Sequence, residues 1–157
     1  MTAQDSFKEF SRSALAPMFR ELGFKGSGQK YSFPAPDHFI QVGVQKSFYS
    51  DKNEIRFTLN VQIVLVKDWV AAAAQRSHFP KVPSPNTYYG VGFQERIGLM
   101  RPEKLDLWWD FAQGTDKAAL LKEIRDLLVA HAMPAIRRTV NRDAQQSAAA
   151  DAAKPHG

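Results

Sequence analysis

The chain has 157 residues, 44% hydrophobic and 24% charged, a balance that fits one domain with its own core and excludes wholesale disorder. It has no cysteine, which removes disulfides, thiolate nucleophiles and thiolate-held zinc or iron–sulfur centres. Lys and Arg number 21 against 16 Asp and Glu, a net +5 spread without any run of five or six like charges, so a solvated basic surface is the first reading and a nucleic-acid footprint the second.

Phe7, Phe10, Ala14, Leu15, Met18, Phe19 and Leu22 recur at three- and four-residue spacing and predict a helix from Ser6 to Leu22. Asp5 or Ser6 is placed to cap it, with Glu9 completing a capping box, and Gly23 stands where a left-handed C-cap is needed. Pro17 lies inside the stripe and should kink or split the helix near Ala16. KGSGQK then reads as a glycine turn before a short strand, Lys30 to Phe33.

Two long strands follow. His38 to Gln45 alternates Ile40, Val42 and Val44 with Gln41, Gly43 and Gln45. Glu54 to Val66 alternates Ile55, Phe57, Leu59, Val61, Ile63 and Leu65 with Arg56, Thr58, Asn60 and Gln62, the strongest period-two signal in the chain. SFYSDKN between them is a hairpin loop, so the pair should be antiparallel. Lys67 to Gln75 reads as a short helix, and the three-proline stretch Ser77 to Thr87 as a surface loop.

Tyr88 to Ile97 reads as another strand, with Gly90, Gly92, Gln94 and Arg96 on its polar side. A turn at Arg101–Pro102 and a strand or short helix around Trp108 and Trp109 come next. Thr115 or Asp116 should cap a last helix with stripe Leu120, Leu121, Ile124, Leu127, Leu128 and His131, broken or kinked at Pro134. Residues 1–140 thus form one domain, and 141–157, lacking a packing face, a flexible or disordered tail. The order of elements predicts an α+β fold: an antiparallel sheet meander with N- and C-terminal helices packed on one face, a two-layer sandwich. The opening residues lack a signal-peptide stretch, and no run approaches the ~20 apolar residues of a membrane span. A cytoplasmic protein with no membrane partner is expected.

Few chemistries find their residues here. KGSGQK is followed by a strand, whereas a phosphate-cradling P-loop opens a helix. His38, His78, His131 and His156 show no metal-ligand spacing, and no GxSxG elbow exists. Asp106 and Asp110 would lie one turn apart on a helix, close enough to share a proton or cation, or are simply exposed acids. No catalytic residue, metal or cofactor is assigned. The polar sheet face is the candidate site instead: Gln41, Gln45, Arg56, Asn60, Gln62, Gln94 and Arg96, edged by Trp108 and Trp109. One tryptophan should enter the core, and neighbouring positions on a strand do not say which.

VQKS at Val44 to Ser47, RIGLM at Arg96 to Met100, WWDF at Trp108 to Phe111 and GFK at Gly23 to Lys25, with the opening stripe, resemble the bacterial domain-of-unknown-function 4304 family from Phe7 to Met133. The resemblance implies a small bacterial α+β domain and carries no established activity, cofactor or catalytic residue. Gln45, Arg96, Trp108 and Trp109 are its matched polar and aromatic positions. The expected function is a binding module that recognises a protein partner, immunity-like in size and class, through the polar face. Nucleic-acid binding is the alternative, and an enzyme acting on a small phosphorylated or acidic molecule the third reading.

Overall fold

The computed structural model, which describes residues 1–153, begins its first helix at Ala3 rather than at Ser6. Thr2 is the cap: its hydroxyl accepts from the Asp5 backbone N–H while the Asp5 carboxylate accepts from the Thr2 N–H. Those bonds hold the Asp5 carboxyl below the usual carboxylate range. Helix α1 (Ala3–Phe10) runs through a π-turn (Ser11–Leu15) into α2 (Ala16–Glu21), so Pro17 does not split the stripe. The Ala16 N–H reaches back five residues to the Ser11 carbonyl, just before the proline. Pro17 offers no N–H and crowds the carbonyl four residues back, and the wider turn accommodates both.

The same device recurs at the other end. Helix α4 (Lys117–Leu127), capped by Asp116, passes through a π-turn (Leu128–Ala132) into α5 (Met133–Ala152), and the Met133 N–H reaches the Leu128 carbonyl immediately before Pro134. Helix α5 therefore continues where a frayed tail was expected. The reason is a contact invisible to periodicity: His38 Nε2 lies 2.8 Å from an Asp143 carboxylate oxygen, with both side chains buried. Residues 154–157 of the expected tail, His156 among them, lie outside the described residues.

Between the helices stands one antiparallel sheet of six strands, β1 (Lys25–Ser27), β2 (Lys30–Phe33), β3 (His38–Lys46), β4 (Glu54–Leu65), β5 (Phe93–Arg96) and β6 (Trp109–Ala112). KGSGQK forms the β1–β2 hairpin. The order is β1-β2-β3-β4-β5, and β6 also pairs with β4. Strands β5 and β6 lie along the same edge of β4, β5 opposite Asn60 to Ile63 and β6 opposite Glu54 to Phe57. They amount to one edge strand interrupted by the excursion 97–108. Thr58 bridges the gap by donating its hydroxyl to the Leu107 carbonyl at 2.7 Å.

The alternation of β4 is realised as read. Ile55, Phe57, Leu59, Val61 and Ile63 join Phe7, Phe10, Leu15 and Phe19 of the first helix and Leu120, Ile124 and Leu128 of the last in one core. Phe7 packs on Phe57 and Phe111 at ring separations of 4.8 and 5.3 Å, and Phe19 stacks on Tyr31 at 4.0 Å. Each such side chain contributes roughly 1.5–3 kcal/mol on burial, so this face anchors the two-layer arrangement. Desolvation there pushes the Tyr31 phenol above its ordinary value.

The second face departs from expectation. Helix α3 (Val66–Gln75) follows β4 directly, and the chain from Arg76 to Gly92 returns across the sheet instead of standing out in solvent. Trp69, buried on α3, stacks on Phe79 at 4.8 Å, meets Tyr89 edge-on, and donates its indole N–H to the carbonyls of Pro80 and Lys81. The predicted strand from Tyr88 shortens to Phe93–Arg96 for a related reason. Gly90 and Gly92 sit at φ +73° and +68°, left-handed values that a strand does not contain. They turn the loop toward the sheet and form no part of its polar face.

Candidate interaction groove

The register of β3, β4 and the interrupted edge sorts the polar face into rows. One row is Gln41, Gln62 and Gln94; the next is Gly43, Asn60 and Arg96. Gln45 and Thr58 follow, then Arg56 opposite Asp110, and last Glu54 opposite Ala112.

Gln41 and Gln62 of the first row are covered by the protein's own chain, whereas Gln94 borders the groove. Gln41 donates to the Pro83 carbonyl at 2.6 Å and to Gln62, and Gln62 donates to the Ser84 carbonyl. Gln94 is held at both ends, accepting from the Tyr89 N–H and donating to the Thr87 carbonyl. Gln41 and Gln62 are buried, so neither meets a partner, and the expectation that they line a docking surface is corrected. Gly43 is what lets the loop settle: a Cβ there would lie 2.8 Å from Asn86 Cγ and 2.9 Å from Pro85 Cγ.

Beyond the loop the face stays open, as a groove of about 320 Å³ lined by Gln45, Asn60, Asn86, Tyr88 and Arg96 among others. Its floor is an amide chain. Asn60 Nδ2 donates to Gln45 Oε1 at 2.8 Å and to Asn86 Oδ1 at 3.0 Å, and Asn86 Nδ2 donates to the Val44 carbonyl. Two ends make no further hydrogen bond among the described residues, the Gln45 amide N–H group and the Asn60 side-chain carbonyl. They offer one donor beside one acceptor, the complement of a peptide or carboxamide group. The ring of Tyr88, 81% exposed, flanks the groove.

On the other side Arg96 donates to an Asp106 oxygen at 2.9 Å and lies 5.1 Å from the Trp108 ring centre, while the Trp108 indole N–H donates to the same Asp106 oxygen. The two tryptophans thus divide cleanly. Trp109 faces the core against Phe57, which removes it from the candidate surface, and Trp108 remains at the groove's rim. Asp106 and Asp110 do not act as a pair: one holds Arg96, the other lies 3.5 Å from Arg56.

Charge on this face is mixed: Glu54, Asp106 and Asp110 stand about its rows together with Lys30, Arg56 and Arg96. Hydrogen bonding to Asp110 and repulsion from it push the Glu54 carboxyl above its ordinary value. The folded state therefore retains that proton to higher pH than the unfolded chain, and the ionised pair opposes folding at neutral pH. Glu54→Gln is expected to raise the melting temperature at pH 7, with the gain shrinking as the pH falls toward the ordinary glutamate value of about 4.3, by which the wild-type carboxyl is already protonated. Melting curves across that range check this; an equal or lower melting temperature for the variant at pH 7 would contradict the assigned repulsion.

A larger hollow of about 890 Å³ lies between α3 and α5 above His38 and Asp143. Its floor offers less, because Asp143 is already engaged by both His38 and Arg142. Among the described residues, no group of three or more His, Asp or Glu is placed to hold a metal ion, and no helix is long and apolar enough to cross a membrane.

The family model "Domain of unknown function (DUF4304)" matches residues 15–138, most of the chain. The chain belongs to the DUF4304 family. That match spans the sheet, the covering loop and the groove, including Gln45, Asn60, Arg96 and Trp108, so what has been described is the DUF4304 domain itself. No curated protein and no solved structure matches this DUF4304 chain.

Proposed function

We propose that this DUF4304 domain is a non-enzymatic module that recognises a protein partner through the groove on the second face of its sheet. The observation that carries the reading is the unused donor and acceptor of Gln45 and Asn60, beside the exposed ring of Tyr88 and the half-buried Trp108 that lies against Arg96. Tyr, Trp and Arg side chains beside a few fixed polar groups are enriched at protein-recognition surfaces. Nucleic acid is the second reading, because its affinity rests on phosphate contacts to free Lys and Arg. Both arginines here are already paired with aspartates.

Gln45→Ala combined with Arg96→Ala is expected to melt close to wild type, since both side chains are partly exposed and neither belongs to the core. The same variant should lose a partner that the wild-type domain retains from its host's extract. Undiminished retention of every such protein would exclude the groove.

A further inference from the structure

We infer that the hollow between α3 and α5 is a second site, separate from the groove, for an uncharged molecule with an apolar body and a hydroxyl group that donates to Nδ1 of His38. His38 lines the hollow with a side chain only 5% exposed, and its Nε2 lies 2.8 Å from an oxygen of the Asp143 carboxylate. A carboxylate accepts and does not donate, so the proton of the neutral ring sits on Nε2 and the lone pair on Nδ1. Nδ1 has no hydrogen-bond partner among the described residues. It is not sealed off either, because the buried side-chain atoms left without a partner among those residues are Tyr31 Oη, Gln41 Oε1 and Trp109 Nε1. One fixed acceptor therefore stands at the floor of an open cavity. Asp143, engaged by His38 and Arg142, is what orients it.

The walls select the rest of the molecule. Leu65, Val66 and the exposed Val70 stand on one side, and Val140, Ala144 and Ala150 on the other. A hollow of about 890 Å³ is the size of sites that enclose small molecules, which are mostly apolar with a few placed polar groups. Its charged lining is Asp37, Asp143 and Asp151 against Lys67, a balance that disfavours an anionic head. A buried ammonium at the floor needs a carboxylate of its own, and the one beside His38 is taken. A neutral hydroxyl satisfies Nδ1 without that cost.

Nitrogen NMR of the intact wild-type chain tests this with para-ethylphenol as the probe, at about pH 8.5, where an ordinary imidazole is neutral. Before addition the His38 ring should carry its proton on Nε2. The phenol should shift the Nδ1 resonance saturably. Para-ethylanisole, the same body without the donor, should bind about tenfold more weakly, the worth of one hydrogen bond. Para-ethylbenzoate should also bind more weakly than the phenol. Ala144→Trp sets a large ring into the hollow from an exposed helix position, so that variant should melt close to wild type and lose the phenol. A ring proton on Nδ1, the absence of a saturable shift, equal binding of phenol and methyl ether, tighter binding of the benzoate, or undiminished binding by the variant would each overturn the inference. The ether comparison uses the unaltered chain, so it decides the matter whatever the variant's stability.

Discussion

Trp109→Ala is expected to destabilise the fold by about 3–5 kcal/mol, whereas its neighbour Trp108→Ala should cost less than about 1 kcal/mol. Trp109 is only 7% exposed, pairs opposite Phe57 in the sheet register, and packs on that ring at 5.4 Å. Its removal leaves a hole between β4 and β6, which the aromatic cluster of Phe7, Phe57 and Phe111 cannot collapse to fill. Trp108 loses only its contact with Arg96 and a surface hydrogen bond to Asp106. For a domain of this length the first change lowers the melting temperature by roughly 6–20 °C, the second by a few degrees at most. A third variant sharpens the test. The Trp109 indole N–H is buried without a hydrogen-bond partner among the described residues, so Trp109→Phe sheds that penalty and should cost far less than Trp109→Ala. Thermal or urea melts of the three variants check the ordering; equal losses at Trp108 and Trp109 would reject the register of β6.

What could be read from the residues and what could not divides along a physical line. The period-two pattern of Ile55 through Leu65 reports one buried face and one polar face, because a single strand carries that information locally. It does not report whether the polar face is wet. Gln41 and Gln62 look alike on paper to Gln45, yet the first two lie under Pro83 and Ser84 and the third borders open space. That difference is set by where the Trp69–Phe79–Tyr89 cluster pins a loop. The two tryptophans posed the same difficulty. Parity says they point apart, and only the pairing of Phe57 with Trp109 says which one enters the core.

The prolines taught a second lesson. A ring at Pro17 or Pro134 removes one donor from a helix, but a π-turn of five residues before each absorbs the loss without breaking the apolar stripe. Helix α5 runs beyond its last apolar residues because Asp143 meets His38 across 105 positions of sequence. No local pattern encodes such a pairing, and composition alone turned a helix into a tail.

Trp69→Ala is the second change expected to have a large effect, and it should act on one part of the molecule. Trp69 is 1% exposed yet stands apart from the main core, packed with Phe79 and Tyr89 on the opposite side of the sheet. Truncating so large a buried ring costs about 3–5 kcal/mol where the surroundings stay in place. Here they need not, because the Arg76–Gly92 chain is secured to the sheet chiefly by this cluster and by side-chain amides. The cheaper response is local release of the loop, which caps the loss seen in global melting at what holding that loop down is worth. Backbone amides of the loop, such as Tyr89 bonded to Gln94, should then exchange rapidly while those of β3 and β4 remain protected. Protease should also cut within Ser77 to Thr87 before the domain unfolds. Because Pro85 to Tyr88 form one wall of the groove, the same variant should bind any groove ligand more weakly although its amide floor at Gln45 is untouched. Uniform loss of protection through sheet and loop together would mean instead that Trp69 belongs to the domain's single cooperative core, and that the loop is no separable cover.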